Sequence, residues 1–256
     1  MSDIIQSLWI GGELSNMEQL SAKSFIDHGH TYHLYTYGKV KNIPEGVVVK
    51  DGNEILPESE IFRYKNGSVS AFSNLFRFEL LYKKGGCWAD TDFICVSDKK
   101  FQKPYVISTE PSLDYKHNVI TSSFIKMPKS SAAAKTGVTI QRKIKADILS
   151  GRIHWGAGPR TVKLVVQMLS LEQYIVPWQT TCSCSYNDAA SLVIPSKPFH
   201  KKVIKTIKNI PDTMFGIHMW NECWRTAQER FKIKMEKNGK YDSNSLYEQL
   251  KKRHKI

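Results

Sequence analysis

The sequence has no run of about 18 apolar residues, the length that spans a bilayer as a helix, so no transmembrane segment is expected. Residues 1–7 lack a basic region followed by an apolar core, so no secretory signal is expected and a cytoplasmic location is. Asn66-Gly67-Ser68 fits the glycosylation pattern, but without a secretory route it reads as a turn. There are only five cysteines, an odd number with no CxxC pair, which argues against a zinc knuckle or a disulfide framework and for buried thiols. No GxGxxG occurs, so a dinucleotide fold is not indicated. No RNP, zinc or helix-turn-helix pattern supports nucleic-acid binding. No internal repeat or low-complexity tract is present.

What the chain does have is positive charge. The net charge is +13, and the stretch from Lys197 to the C-terminus holds 15 Lys and Arg against 6 Asp and Glu. A basic face of this kind meets nucleic acid, an anionic membrane or a phosphorylated ligand. A solvated surface that keeps the protein soluble explains it equally well. With 256 residues the chain suits one large domain, or one domain with a small appendage.

Residues 4–12 read as a short strand ending in Gly11-Gly12, where glycine permits close backbone approach under a nucleotide. Ser15 and Asn16 look like an N-cap, with an amphipathic helix to about His28. Strands follow over 31–36 and 47–50, then a short helix or loop over 55–60. Strand, helix, strand at this spacing begins a parallel α/β sheet. Further strands are expected over 93–96, 105–108 and 119–127, and a helix over 131–150. The loop from Gly156 to Thr161 should open another helix over 162–171. Residues 174–196 read as irregular. A late strand over 213–220 carries His218, and two basic helices are expected over 229–237 and 243–255.

The most informative stretch runs from Ser70 to Asp92. Its helix places Ala71, Phe72, Leu75, Phe76, Phe78, Leu80 and Leu81 on a wide buried face. Asn74 and Arg77, three apart, are neighbours on a narrower stripe. Gly85-Gly86 breaks the helix, and a short apolar strand then ends in Asp90-Thr91-Asp92. Two carboxylates so close repel each other, and burying even one without a partner is costly. A hard divalent cation such as Mg²⁺ or Mn²⁺ removes that cost by taking carboxylate oxygens.

With these residues in view, the chain resembles glycosyltransferase family 32, the DXD-containing sugar transferases, and is similar to the glucosyltransferase domains of large clostridial toxins. Three motifs carry the likeness: Leu8 to Gly12; Ser73-Asn74 and Arg77 through Leu81, Gly85-Gly86, Trp88, Asp90 and Asp92; and the late His218 with Cys223-Trp224. The resemblance implies a GT-A fold, an α/β architecture with a mixed, mostly parallel central sheet flanked by helices and basic helices at the C-terminus. A catalytic domain is expected over 1–224, with the basic helices forming an appendage over 225–256 packed on it. The resemblance also implies a UDP-sugar donor and Mn²⁺ or Mg²⁺.

Carried over residue by residue, Trp9 stacks on uracil with Ile10 and Gly11 beside it, and Arg77 contacts the donor. Asp90 touches ribose or sugar hydroxyls and reaches the metal through water. Asp92 and His218 ligate the metal directly, and Trp224 closes over the diphosphate. Asp90, Asp92 and Arg77 form the catalytic set. Two departures stand out. Asn74 replaces the usual Asp, and Cys223 replaces the usual Ser, a poorer ligand for a hard metal.

The implied activity is retaining transfer of a hexose or N-acetylhexosamine to a glycan, such as a lipid-linked O-antigen or capsule intermediate. The basic C-terminus would dock on the inner face of the cell membrane. The alternatives are a toxin-like transferase that modifies protein, and an inactive sugar-nucleotide binder. Nucleic acid is not an expected partner.

Overall fold

The structure is a computed structural model that describes residues 4–196 and 199–256. The chain begins with β1 (Ile5–Trp9), α1 (Asn16–Asp27), β2 (Tyr32–Thr36) and β3 (Val48–Asp51). Ser15 caps α1 in a reciprocal arrangement with Glu18, which satisfies two otherwise orphaned N–H groups. Then come α2 (Ser70–Lys84), β4 (Gly86–Ala89), β5 (Phe93–Cys95), β6 (Val106–Pro111) and β7 (Asn118–Met127). The helices α3 (Ala132–Ser150), α4 (Ala157–Leu169) and α5 (Trp178–Thr181) follow. The chain closes with β8 (Gly216–His218), α6 (Asn221–Arg225), α7 (Ala227–Phe231) and α8 (Leu246–His254).

Six strands form the central sheet in the order β3-β2-β1-β4-β7-β6. The pairs β3/β2, β2/β1 and β1/β4 are parallel, and β7 runs antiparallel to both of its neighbours. Helices flank this mixed, mostly parallel sheet, the architecture expected for a GT-A protein. β5 does not extend the large sheet. It leaves to form a separate antiparallel pair with β8, in which Phe93 lies opposite His218.

The turn between α2 and β4 depends on glycine. Gly85 has φ of 70°, and a Cβ there would come within 2.5 Å of the Lys129 backbone nitrogen. Both the positive φ and the contact exclude other residues. α2 is buried as its pattern predicts, with Phe72, Phe76, Phe78 and Leu80 fully inside. It packs against α3 and α4 in one apolar cluster. A second cluster joins Met17 and Leu20 of α1 to Trp178, Cys182, Cys184, Trp224, Leu246 and Leu250. The irregular 174–196 stretch therefore supplies core, and all five cysteines are buried thiols.

Two expected helices form differently. α4 begins at Ala157, so Gly158 and Pro159 lie in its first turn rather than in a loop before it. The basic helix expected over 229–237 stops at Phe231, where Lys232 turns left-handed with φ of 58°. Phe231, Ile233 and Met235 are apolar at every second position, the period of an extended chain, and all three meet the second cluster. The tertiary contact overrides the helix propensity of Lys232 and Lys234 between them. α8 forms within the range expected, with Leu246, Tyr247 and Leu250 fully buried.

Gly137 of α3 faces Phe78 of α2 so closely that a Cβ would lie 2.2 Å from the ring. Gly137→Ala should lower stability by about 1–3 kcal/mol from overpacking, outweighing the gain of up to about 1 kcal/mol in helix propensity. Urea unfolding followed by circular dichroism checks this, and a raised midpoint would contradict the packing.

Candidate metal and sugar-nucleotide site

The strand ends of β1 and β4, adjacent in the sheet, deliver Trp9 and Asp90 to one edge. Asp90 is fixed from three sides. Arg77 Nη2 of α2 donates to its Oδ1 at 2.7 Å, Trp88 Nε1 donates to the same oxygen at 2.8 Å, and its own N–H donates to the Ser123 carbonyl at 2.8 Å. Arg77 is 3% exposed and also donates from Nη1 to the Ser122 carbonyl. Its guanidinium stands 4.9 Å from the centre of the Trp88 ring. Both side-chain donors use Oδ1, which leaves Oδ2 of Asp90 for a ligand.

Asp92 is held by the small β5/β8 sheet. The Asn221 N–H donates to its Oδ2 at 2.8 Å, and His218 Nε2 approaches the same oxygen at 3.4 Å. Trp220 makes this possible by adopting φ of 59°. That left-handed conformation costs a bulky residue about 1–3 kcal/mol, and it turns Asn221 back onto Asp92.

The electrostatics follow from burial and pairing. Burial raises the Asp90 pKa; the Arg77 charge opposes this, nearby Asp92 adds to it, and the net shift is upward. Burial also pushes Asp92 up, but the charge and hydrogen bond of His218 and the Asn221 N–H outweigh it, holding the carboxyl below its usual range. Burial pulls His218 down, yet Asp92 prevails and the imidazole is held above its ordinary value. Asp90, Asp92 and His218 each offer one ligand atom, and the three atoms lie within 4.8 Å of one another. Two carboxylates and an imidazole suit Mn²⁺ or Mg²⁺, so the trio fits the cation the sequence implied.

The trio lines a cavity of about 840 Å³, within the range of small-molecule sites. Among the described residues, eight buried side-chain polar atoms have no hydrogen-bond partner. Four of these, Trp9 Nε1, Tyr64 Oη, Arg77 Nε and His218 Nδ1, belong to residues lining this cavity. Orphaned polar atoms are costly in a fold, and their concentration here marks a ligand site.

Of the residues expected at the site, Trp9, Ile10, Asn74, Arg77, Asp90, Asp92 and His218 line the cavity. Gly11 instead backs the Trp9 ring, with its Cβ position 3.0 Å from Nε1. Trp224 is placed elsewhere. Its Nε1 donates to the Met219 carbonyl at 2.7 Å, and its ring lies edge-on to Tyr247 of α8. Its neighbours Trp220, Asn221, Glu222, Cys223 and Arg225 reach the cavity instead.

The sequence reading missed Glu110, Tyr64, Trp155 and Tyr186, which also line it. Burial pushes the Glu110 carboxyl up to about 7, against the opposing effects of His218 and a hydrogen bond to Thr121. The one available signal was Glu110 itself, the single charged residue of β6. Lys237 of the C-terminal segment lies 5.4 Å from the Trp9 ring centre and pairs with Glu18, so it covers one side of the indole.

Residues 20–112 match a protein family described as a glycosyltransferase sugar-binding region containing a DXD motif. The matched residues include Asn74, Arg77, Asp90 and Asp92, whereas Trp9 and His218 lie outside them. No curated protein sequence matches the chain. Among solved structures, the chain is similar to PaToxG glycosyltransferase at 14% identity, covering 67% of this chain and 72% of that one, with a TM-score of 0.48. It is also similar to the apo form of the glycosyltransferase GlyE of Streptococcus pneumoniae TIGR4, at 14% identity with a TM-score of 0.41. That match covers 70% of this chain and 46% of GlyE, so the chain spans less than half of GlyE's length. With Asp90-Thr91-Asp92 inside the matched residues and a cavity built around them, the chain is a glycosyltransferase-like protein with a DXD sugar-binding region and a candidate metal site.

Proposed function

We propose that the protein is a retaining, metal-dependent glycosyltransferase that moves a hexose-class sugar from a UDP-sugar to a glycan acceptor. The lead acceptor is a lipid-linked O-antigen or capsule intermediate. The observation that carries this reading is the meeting of Asp90, Asp92 and His218 within 4.8 Å, inside a cavity with unfilled polar groups. Bound there, Mn²⁺ or Mg²⁺ would neutralise the charge that develops as the diphosphate leaves.

The chain's own residues divide the remaining work. Asp92 and His218 would hold the cation, and the Asn221 N–H fixes the Asp92 carboxylate through Oδ2. Arg77, already committed to Asp90 through Nη2, opposes the upward push of burial on that carboxyl and offers its unpaired Nε–H to the sugar end. Trp9, backed by Gly11 and flanked by Lys237, presents one indole face to the base. Pre-set donors and charges of this kind need no reorganisation during the reaction. Retention fits an acceptor hydroxyl attacking the anomeric carbon from the side the UDP leaves.

A peripheral membrane contact is part of the proposal. No helix among the described residues is long and apolar enough to cross a bilayer. Lys252, Arg253 and Lys255 are exposed around the end of α8, while its apolar residues are committed to the core. Each basic group near an anionic surface adds about 1 kcal/mol.

Two measurements test these points. In a panel of UDP-sugars with Mn²⁺, Asp92→Ala should reduce donor turnover by about a hundredfold or more while the circular dichroism spectrum is kept; turnover at the original rate would refute the metal assignment. The triple variant K252E/R253E/K255E should lose binding to anionic liposomes at low salt, where screening is weakest. Undiminished binding would leave the basic excess a matter of solubility.

A further inference from the structure

The helix α4 is apolar on two sides. Val162, Val165 and Val166 face inward and are buried in the cluster built with α2 and α3. Leu164 and Met168, four apart and so neighbours on the outer face, are 45% and 65% exposed. A surface helix normally carries polar groups there. Nine large apolar residues are exposed among the described residues, and four of them, Leu149, Trp155, Leu164 and Met168, fall within residues 149–168. A single exposed apolar side chain needs no explanation, but a concentration of them marks a contact surface.

This patch begins at the mouth of the cavity. Trp155 lines the cavity while remaining 42% exposed. Gly156 follows, and Arg160 Nε lies 3.9 Å from the Cβ position of Gly156. Arg160, Leu164 and Met168 then recur at every fourth position, forming one stripe that runs outward along α4.

The charge around the stripe has one sign. Arg63, Lys65, Arg160 and Lys163 are exposed, and Lys65 lies against Gly151. No Asp or Glu occurs in residues 61–78 or 148–171. Of the carboxylates that bound these segments, Glu60 and Glu79 pair with Arg142 and Asp147 pairs with Arg152, while Glu172 lies beyond the end of α4. A second copy of the chain is a poor cover for this face. A two-fold contact sets the same patch against itself, which brings Arg160 and Lys163 towards their own counterparts on two chains of charge +13. An anionic lipid surface matches every feature: apolar side chains reach the acyl boundary, tryptophan sits at headgroup level, and basic groups meet lipid phosphates.

We propose that the Trp155 loop and the outer face of α4 dock on an anionic membrane and hold the mouth of the cavity against the lipid. This contact is separate from the basic end of α8. Its use, admitting an acceptor from the membrane, rests on the reading of the acceptor as lipid-linked, whereas vesicles without sugar test the surface itself.

Flotation of the full chain with vesicles of phosphatidylglycerol and phosphatidylcholine in equal parts measures the contact. L164Q/M168Q alters no charge and changes only exposed side chains, so it should keep its circular dichroism spectrum and its binding of UDP with Mn²⁺. Its vesicle affinity should fall about tenfold, a loss that the basic end of α8 cannot cause. R160E/K163E should also bind more weakly at low salt. Brominated acyl chains should quench the tryptophan fluorescence of the original chain and quench Trp155→Phe much less. Vesicle affinity of L164Q/M168Q equal to the original would overturn the surface, and so would quenching unchanged in Trp155→Phe. Self-association of the original chain that L164Q/M168Q abolishes would assign the face to a second copy and overturn the proposal as well. Vesicle binding lost in L164Q/M168Q upholds the surface even where no UDP compound binds, an outcome that removes the transferase reading alone.

Discussion

Two carboxylates one residue apart at the end of a strand, Asp92 buried and Asp90 half-buried, set the constraint that the rest of the site answers. Neither can stay ionised there alone. The fold assigns them separate partners. Asp90 receives Arg77 from α2 and the indole N–H of Trp88. Asp92 receives His218 from β8 and the backbone of Asn221. The uncommon features nearby serve that division: β5 leaves the main sheet to pair with β8, and Trp220 bends left-handed to present Asn221. With one oxygen of each carboxylate committed to protein, the two carboxyl groups and the imidazole still bring one ligand atom each within 4.8 Å, where a divalent cation would complete the balance.

The main sheet explains why a nucleotide would meet this point. β1 and β4 run parallel side by side, so their ends bring Trp9 close to the Asp pair. α2 then serves two purposes. One face builds the largest apolar cluster, and a narrow stripe carries Asn74 and Arg77 to the cavity. The C-terminal segment returns over α1, where α8 completes the second cluster and Lys237 reaches Trp9. Site and core are therefore not separable along the chain, and the last residues support the same cavity as the first.

How much of this the sequence revealed depends on how local each signal was. The α2–Gly85-Gly86–β4–Asp90 unit is contiguous, its helical period is strong and its glycines have a steric reason, so it was readable. The chemistry of His218 was readable beside a known Asp pair, although its pairing opposite Phe93 was not. Trp224 illustrates the opposite case. Nothing nearby in sequence says that Tyr247, 23 positions later, covers its ring. Tyr64 and Trp155 lie in two loops and Glu110 in β6, with no shared spacing, so only the folded chain gathers them. The helix expected over 229–237 failed because alternation of Phe231, Ile233 and Met235 outweighed the propensity of the residues between.

The central claim is that the Asp90, Asp92 and His218 cluster holds a divalent cation together with a nucleoside diphosphate. Titration of the purified protein with Mn²⁺, followed by electron paramagnetic resonance with and without UDP, tests it most directly. The account predicts one Mn²⁺ per chain in the presence of UDP, with tighter binding than without it and loss of that site in His218→Ala. Absence of any bound Mn²⁺ with UDP present would contradict it, as would a site unchanged in that variant.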